Sequence, residues 1–434
     1  MKVARVPRAM ALFTILALFN QAAGAHAQID SSGGQVLRIS LEEAFRRGIA
    51  VSPAVAAATG AVRAPRGRKA EAWWPFPDNP ILEYGRIRRR TPLATVHDRQ
   101  WAVTQEVEIA GQWVARGRAA SASVRSAEAR VEDARRRAGL EIRAAYAVAA
   151  LAERRAALTD SAAAFAARLA EFARRQFDAG ELNRLELNAA TLEAARARSG
   201  SERARAESEA GAAELARLLA LPRDSTPRTT VLPPIPALTW DSDSLLQVIA
   251  RARRPDLAAS EAARQSTERM VTAARLAFVP NLTIGAAGGR ESGTDDLLGL
   301  SLGLRLPLFH RQQGAIGAAE GERIAAQAEV AATERAILAE VVSAGARFTR
   351  ARLVERSFAT EVLQAATQNV VLTERALTEG EVSLTDVLVL RRTAVEAQLE
   401  YLDVLNDAYT AWFSLAAALA AEPGELAALL GGTR

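Results

Sequence analysis

LLGLSLGLRLPLF, residues 297–309, puts leucine at 298, 300, 302, 304, 306 and 308, with Gly299, Ser301, Gly303, Arg305 and Pro307 between. Successive side chains of a strand point to opposite faces, so this stretch predicts a strand with one apolar face and one small or polar face. Its alternation runs over eleven residues, 298 to 308. Strands in globular sheets average about 5–6 residues, whereas a strand crossing a bilayer needs about 9–11. The length therefore assigns Leu298, Leu300, Leu302, Leu304, Leu306 and Leu308 to a lipid-facing surface.

Working back along the chain, ESGTDD (291–296) is a polar loop and NLTIGAAGG (281–289) a partner strand alternating Leu282, Ile284 and Ala286 with other residues. Two earlier stretches, ILEYGRIRR (81–89) and RQWAVTQEVEI (99–109), flank TPLATVHD and predict a second strand pair. The later of these alternates Trp101, Val103, Val107 and Ile109; the lipid-facing side of the earlier one is left open by its pattern. Four strands cannot close a barrel, because the smallest single-chain barrels have eight, and an open sheet edge in lipid leaves backbone groups unpaired. The chain must then assemble through its strands, and three copies would supply a 12-stranded barrel.

The rest of the sequence is helical and duplicated. FDAGELNRLEL (177–187) and LTEGEVSLTDV (377–387) match at an offset of 200, pairing Gly180 with Gly380, Glu181 with Glu381 and Glu186 with Asp386. A glycine between long helical stretches predicts a tight helical hairpin. Residues 112–178 and 183–220, and again 312–378 and 383–420, lack proline and are rich in strong helix formers. Val124, Ala127, Val131, Ala134 and Ala138 recur at coiled-coil spacing, as do Leu388, Val395, Leu402, Tyr409 and Ala416. Ser52-Pro53 and Arg254-Pro255 open matching helices after short amphipathic ones. The expected organisation is a signal peptide (1–27), a first repeat (28–221) with strands about 79–109 and a hairpin 112–220, a Pro-rich linker (222–239), a second repeat (240–421) with strands about 280–309 and a hairpin 312–420, and a tail (422–434). The fold class is mixed α and β, mostly α. Trp73, Trp74, Phe76, Trp113, Phe278 and Phe309 gather where helices meet strands, and their clustering favours an interfacial girdle over simple core caps.

Lys2, Arg5 and Arg8, the apolar run 9–19 and Ala25-His26-Ala27 have the form of a secretory signal. Its removal leaves 52 basic against 50 acidic residues, mixed along helices, so nothing points to nucleic acid. There is no cysteine, which excludes disulfides, thiolate metal sites and a lipid anchor on cysteine. Beyond the signal the only histidines are His97, expected in a surface loop, and His310 at a strand–helix junction, and the one methionine is Met270. No catalytic constellation, cofactor motif or metal-ligand cluster is evident, and the chain is not expected to be an enzyme.

The two G-E hairpins, the paired helix–Pro–helix openings and Pro307-Leu308-Phe309 resemble the TolC family of outer-membrane efflux proteins over nearly the whole mature chain. NPILEYG (79–85) and QEVEIAGQWVARGRAA (105–120) look nearest to its cobalt–zinc–cadmium cation branch. The resemblance implies a homotrimeric exit duct in the outer membrane with a helical portion in the periplasm. It also implies coupling through a periplasmic adaptor to an inner-membrane pump, usually of the resistance–nodulation–division type. Asp386 and Glu186 fall where family members narrow the periplasmic aperture with acidic side chains. Gly180, Glu181, Leu182, Gly380, Glu381 and Val382 form the tips expected to meet the adaptor. Val389, Leu377 and Val382 replace the family's second acidic, tyrosine and arginine positions, leaving Arg184, Arg391 and Arg392 as candidates for replacement ion pairs. Two alternatives remain at this point: a duct for an ATP-driven type I secretion or drug exporter, and a soluble periplasmic coiled-coil scaffold, which leaves the leucine stripe without a purpose.

Overall fold

A computed structural model describes residues 28–29, 35–90, 95–292, 294–379 and 383–431; the signal-like segment 1–27 lies outside the described residues. In chain order the elements are β1 (Gln28–Ile29), β2 (Gln35–Ile39), α1 (Leu41–Val51), α2 (Pro53–Ala61), α3 (Arg63–Ala72), β3 (Ile81–Arg90), β4 (Thr95–Val107), α4 (Gln112–Asp178), α5 (Arg184–Leu218), β5 (Ser225–Thr229), α6 (Asp243–Arg253), α7 (Pro255–Leu276), β6 (Leu282–Glu291), β7 (Asp295–Leu304), α8 (Gln313–Ser357), α9 (Gln364–Glu379), α10 (Leu384–Ala418) and α11 (Leu426–Gly431). The chain divides into two compact units.

One unit comprises residues 1–44 and 145–233. Its sheet has the order β1-β2-β5, with β2 and β5 parallel from Gln35↔Ser225 to Ile39↔Thr229. Strand β5 lies inside the stretch 222–239 that the sequence reads as a linker. Its proline masked it: Pro227 cannot donate to a ladder, but β5 is an edge strand, where that donor is dispensable. Tyr146, on α4 and fully buried, ties the parallel pair down. Its hydroxyl lies 2.9 Å from the Ile39 carbonyl and accepts from the Thr230 N–H at 2.9 Å. Between the two long helices of this unit, Arg205 Nε bonds Asp160 at 3.0 Å, and the Ser201 hydroxyl bonds the same carboxylate.

The second unit comprises residues 45–144 and 234–434. Its sheet, β3-β4-β6-β7, is antiparallel throughout. Serines bind the long helices together: Ser126 donates to the Ala259 carbonyl at 2.8 Å and Ser266 to that of Ala119 at 2.9 Å, joining α4 and α7. The duplication shows in the packing. A Cβ at Gly345 of α8 would come within 2.9 Å of Leu246 on α6, and one at Gly139 of α4 within 2.7 Å of Phe45 on α1. In each repeat a glycine thus admits an apolar side chain from a short helix.

Helix α7 begins at Pro255 after Arg254, as α2 begins at Pro53 after Ser52. Ser52 caps its helix through the Val55 N–H. Arg254 makes no such cap. Only 4% exposed, its guanidinium meets Asp256 at 2.7 Å and Glu340 at 2.8 Å and donates to the Ala418 carbonyl at 3.3 Å. Arg136 meets Asp133 at 2.7 Å and donates to the Ala417 carbonyl at 3.2 Å. Two arginines therefore satisfy carbonyls at the C-terminal end of α10, where a helix presents its negative pole. Burial opposes the charge on Arg254, yet bonds to Asp256 and Glu340 outweigh it and leave the group more basic than an ordinary arginine. Burial likewise pushes Asp256 up, but Arg254 and Arg136 hold its carboxyl below the usual value.

Two features depart from the expected helices. The stretch 312–378 is not continuous: a π-helical turn, Phe358–Leu363, separates α8 from α9. It coincides with Phe358 stacking on Tyr401 of α10, ring centroids 6.3 Å apart. Helices α5 and α10 end alike, with Ala220 and Ala420 in the left-handed region at φ 46° and 47°. In each, the following N–H reaches back to a helix carbonyl, Leu221 to Ala216 at 3.0 Å and Ala421 to Ala416 at 2.9 Å, the 6→1 bond of a Schellman stop. Such a φ costs a Cβ-bearing residue roughly 1 kcal/mol. Ala220→Gly and Ala420→Gly are therefore each expected to raise stability by up to about 1 kcal/mol. Lower melting temperatures by circular dichroism for both variants would contradict this.

Candidate functional site: the apolar sheet face and the hairpin tips

Directly opposed residues in an antiparallel sheet share a face, so the register assigns every side chain of the β3-β4-β6-β7 sheet. One row contains Leu82, Val103, Ala286 and Leu300; the next contains Tyr84, Trp101, Gly288 and Leu298. On the other side of the first come Gln105, Ile284 and Leu302, then Val107, Leu282 and Leu304. The opposite face is mostly small or polar, carrying Glu83, Gln100, Ala102, Thr104, Glu106, Thr283, Gly285, Ser301 and Gly303, with Ile81, Ile87 and Leu297 as its large apolar residues. One face is thus a continuous apolar band broken only by Gln105. It is exposed: Leu298 81%, Leu300 90%, Leu302 78%, Leu82 72%. The side of β3 that its own sequence left open is settled by pairing: Leu82 and Tyr84 belong to the apolar band.

Leu306 and Leu308 belong to the sequence stripe but not to the strand, since β7 ends at Leu304. Proline 307 has no N–H to extend a ladder, and the Leu308 N–H turns back to the Leu306 carbonyl at 3.0 Å. Both leucines are exposed beyond the end of the sheet. His97, expected in a loop, lies within β4 opposite Arg88.

The aromatics do sit at junctions. Trp74 and Phe76 lie between α3 and β3, Phe278 between α7 and β6, and Phe309 after β7, all exposed. Trp73, also exposed, packs edge-on against Trp113 of α4 with centroids 6.4 Å apart. That pair fastens helix to helix.

At the first hairpin tip Gly180 has φ +79°. Its N–H bonds the Phe177 carbonyl at 2.9 Å, while the Glu181 N–H bonds that of Gln176 at 2.9 Å. Helix α4 thus ends in a Schellman motif, with glycine at the one left-handed position. Three residues on, α5 starts with a capping box. Asn183 accepts from the Glu186 N–H at 2.9 Å and the Glu186 carboxylate accepts from the Asn183 N–H at 3.1 Å. At the second tip, Ser383 and Asp386 make the same reciprocal pair at the start of α10, both bonds 3.2 Å. Gly380, Glu381 and Val382 lie outside the described residues. The two acidic positions picked from sequence as aperture residues are therefore each the third residue of a helix, bonded to their own N-cap. The pattern N/S-x-x-E/D could have shown this beforehand. Asn183→Ala and Ser383→Ala should each cost about 1 kcal/mol at their tip, read as faster amide exchange over the first turn of α5 or α10; unchanged exchange would refute the capping role.

Of the arginines offered as replacement ion pairs, Arg184 lies 5.4 Å from the centroid of the Phe177 ring, and Arg392 pairs with Glu396 at 3.6 Å. Among the described residues no group of three His, Cys, Asp or Glu side chains comes together as a metal site. No single helix among them is long and apolar enough to cross a membrane.

A four-stranded antiparallel sheet with one exposed apolar face and long helices in each half of the chain make up a fold known from outer-membrane channels. Solved structures share it. CusC superposes with a TM-score of 0.74 at 17% identity over 88% of this chain and 92% of that one. OprN gives 0.72 at 17% over 88% and 90%, and VceC of Vibrio cholerae 0.70 at 18% over 88% and 96%. Residues 246–421 match the family described as "Outer membrane efflux protein". The chain is also 26% identical over 158 residues to the cobalt-zinc-cadmium resistance protein CzcC of Cupriavidus metallidurans, covering 36% of this chain and 38% of that relative's length. The chain is thus similar over residues 246–421 to the outer membrane efflux protein family, and it spans 38% of the length of the curated relative it matches.

Proposed function

We propose that this protein is the outer-membrane exit duct of a tripartite efflux system. It passively conducts cargo delivered by an inner-membrane pump through a periplasmic adaptor. The observation that carries the reading is the four-stranded sheet, with its exposed apolar face and with β3 and β7 as its outer strands. In lipid those outer edges need partners, and β7 of one copy against β3 of the next supplies them. Three copies would close twelve strands, with Ser301, Thr104 and Gln100 lining the lumen.

The likeness to CzcC favours a heavy-metal cation pump of the resistance–nodulation–division type as the source of cargo. A ring of carboxylates from Asp386 and Glu186 at the periplasmic end would concentrate cations. The tips Gly180, Glu181, Leu182, Gly380, Glu381 and Val382 would meet the adaptor. The first 27 residues would direct export and be removed.

Planar-bilayer conductance of the purified protein tests the duct, and a chain that forms no pore would overturn it. Two variants separate aperture from cap. Asp386→Asn removes the charge and should lower cation selectivity, whereas Ser383→Ala weakens the same capping box but keeps the charge and should leave selectivity unchanged. Equal selectivity in both variants would reduce Asp386 to a capping residue.

A further inference from the structure

The apolar band stops abruptly toward the β3–β4 and β6–β7 turns. The row beyond Tyr84, Trp101, Gly288 and Leu298, on the same face, is Arg86, Arg99, Arg290 and Asp296. Three arginines on three adjacent strands are directly opposed, and all are exposed. Arg88 and Arg90 continue the face along β3, opposite His97 and Thr95. Arg290 is held by Asp296 at 2.8 Å. The other carboxylates at this end lie on the opposite face: Asp98 is bound by Arg89 at 3.1 Å, Glu291 is bound by the same guanidinium, and Asp295 accepts from the Thr294 hydroxyl at 3.1 Å. Among the described residues Arg86, Arg88, Arg90 and Arg99 have no ion-pair partner.

Like charges directly opposed across strands destabilise a sheet. A row of arginines therefore needs a source of negative charge outside the chain. Its position says which. At about 3.3 Å per residue the row lies ~7 Å along the strands from the last apolar row, the depth of the headgroup layer flanking the hydrocarbon. The helices leave the opposite end of the sheet, so this is the exterior leaflet if the helices are periplasmic. Guanidinium groups bind phosphate through paired, charge-assisted hydrogen bonds.

We propose that Arg86, Arg99 and Arg290, extended by Arg88 and Arg90, form a binding surface for the phosphate groups of exterior-leaflet lipid. The proposal rests on the membrane reading above. Phosphates bound around a closed ring would offset the positive charge of the rim and set the depth of the sheet in the bilayer.

The test uses the full chain, purified in detergent and offered vesicles of phosphatidylcholine with or without bisphosphorylated lipid A. Retained lipid is read by native mass spectrometry, and melting is followed by circular dichroism. The wild type should retain the bisphosphorylated lipid and melt higher with it, and phosphatidylcholine alone should do neither. R86Q/R99Q/R290Q should retain at least tenfold less, and Arg99→Gln alone an intermediate amount, with conductance preserved in both. Inorganic phosphate at millimolar concentration should not reproduce the melting shift; if it does, the site takes free phosphate and the lipid proposal falls. Equal retention by wild type and both variants overturns it as well. Loss of membrane association and conductance in the wild type would overturn the duct reading along with it, so the two failures are distinct.

Discussion

Arg254→Ala is expected to lower the stability of the helical portion by about 3–5 kcal/mol, the cost of breaking a buried pair and stranding its partner. The side chain is 3% exposed and Asp256 17%, whereas Glu340 is 45% exposed. The Asp256 contact therefore carries most of the effect, and the Glu340 contact is weakened by solvent. Alanine would also leave the Ala418 carbonyl without its donor at the end of α10. Removing charges together should be milder: Arg254→Met with Asp256→Leu should recover part of the loss, because no lone charge is then buried. The pH profile gives an independent reading. The Asp256 carboxyl is held below its ordinary value, so its contribution is complete above about pH 4 and is lost as pH falls through the lower folded value. Arg254→Ala should flatten that acid limb. A loss under about 1 kcal/mol, the level of an exposed ion pair, would show that the network is not what holds this junction.

Leu300→Arg should cost about 2–4 kcal/mol per chain in membrane insertion, the figure for arginine near the midplane of a barrel's lipid face. Leu300 is 90% exposed in a row of Leu82, Val103 and Ala286, with another mostly apolar row on each side. One residue along, Ser301→Arg points to the other face, opposite Gly285 and in a row with Thr104. That change should insert normally and alter conductance instead. The pair differs in one position and not in chemistry, so equal insertion yields would refute the assigned faces.

How much could be read from sequence follows from the range of each signal. Alternation is local, so β7 announced itself through four leucines. Its end was overestimated because the stripe continues to Leu308, past a proline that stops the ladder. The face of β3 could not be read from ILEYGRIRR, because Leu82 and Ile87 fall on opposite sides; only pairing with Val103 and Asp98 separates them. Strand β5 was hidden because its edge position excuses Pro227, a fact of topology and not of sequence. The capping boxes are legible at four-residue range, as Asn183-x-x-Glu186 and Ser383-x-x-Asp386. The Arg254–Asp256–Glu340 cluster joins residues up to 86 positions apart, and no local pattern marks it.

The sheet's two-sidedness has a consequence for how such a chain can change over time. A single-codon deletion inside β4 or β6 would send every following side chain of that strand to the wrong side, placing Thr104 or Thr283 against fatty acyl chains and valine or isoleucine in the water column. Losing two codons would merely shorten the strand. Homologues should therefore differ in these segments by even numbers of residues, while the turns at either end absorb odd ones freely.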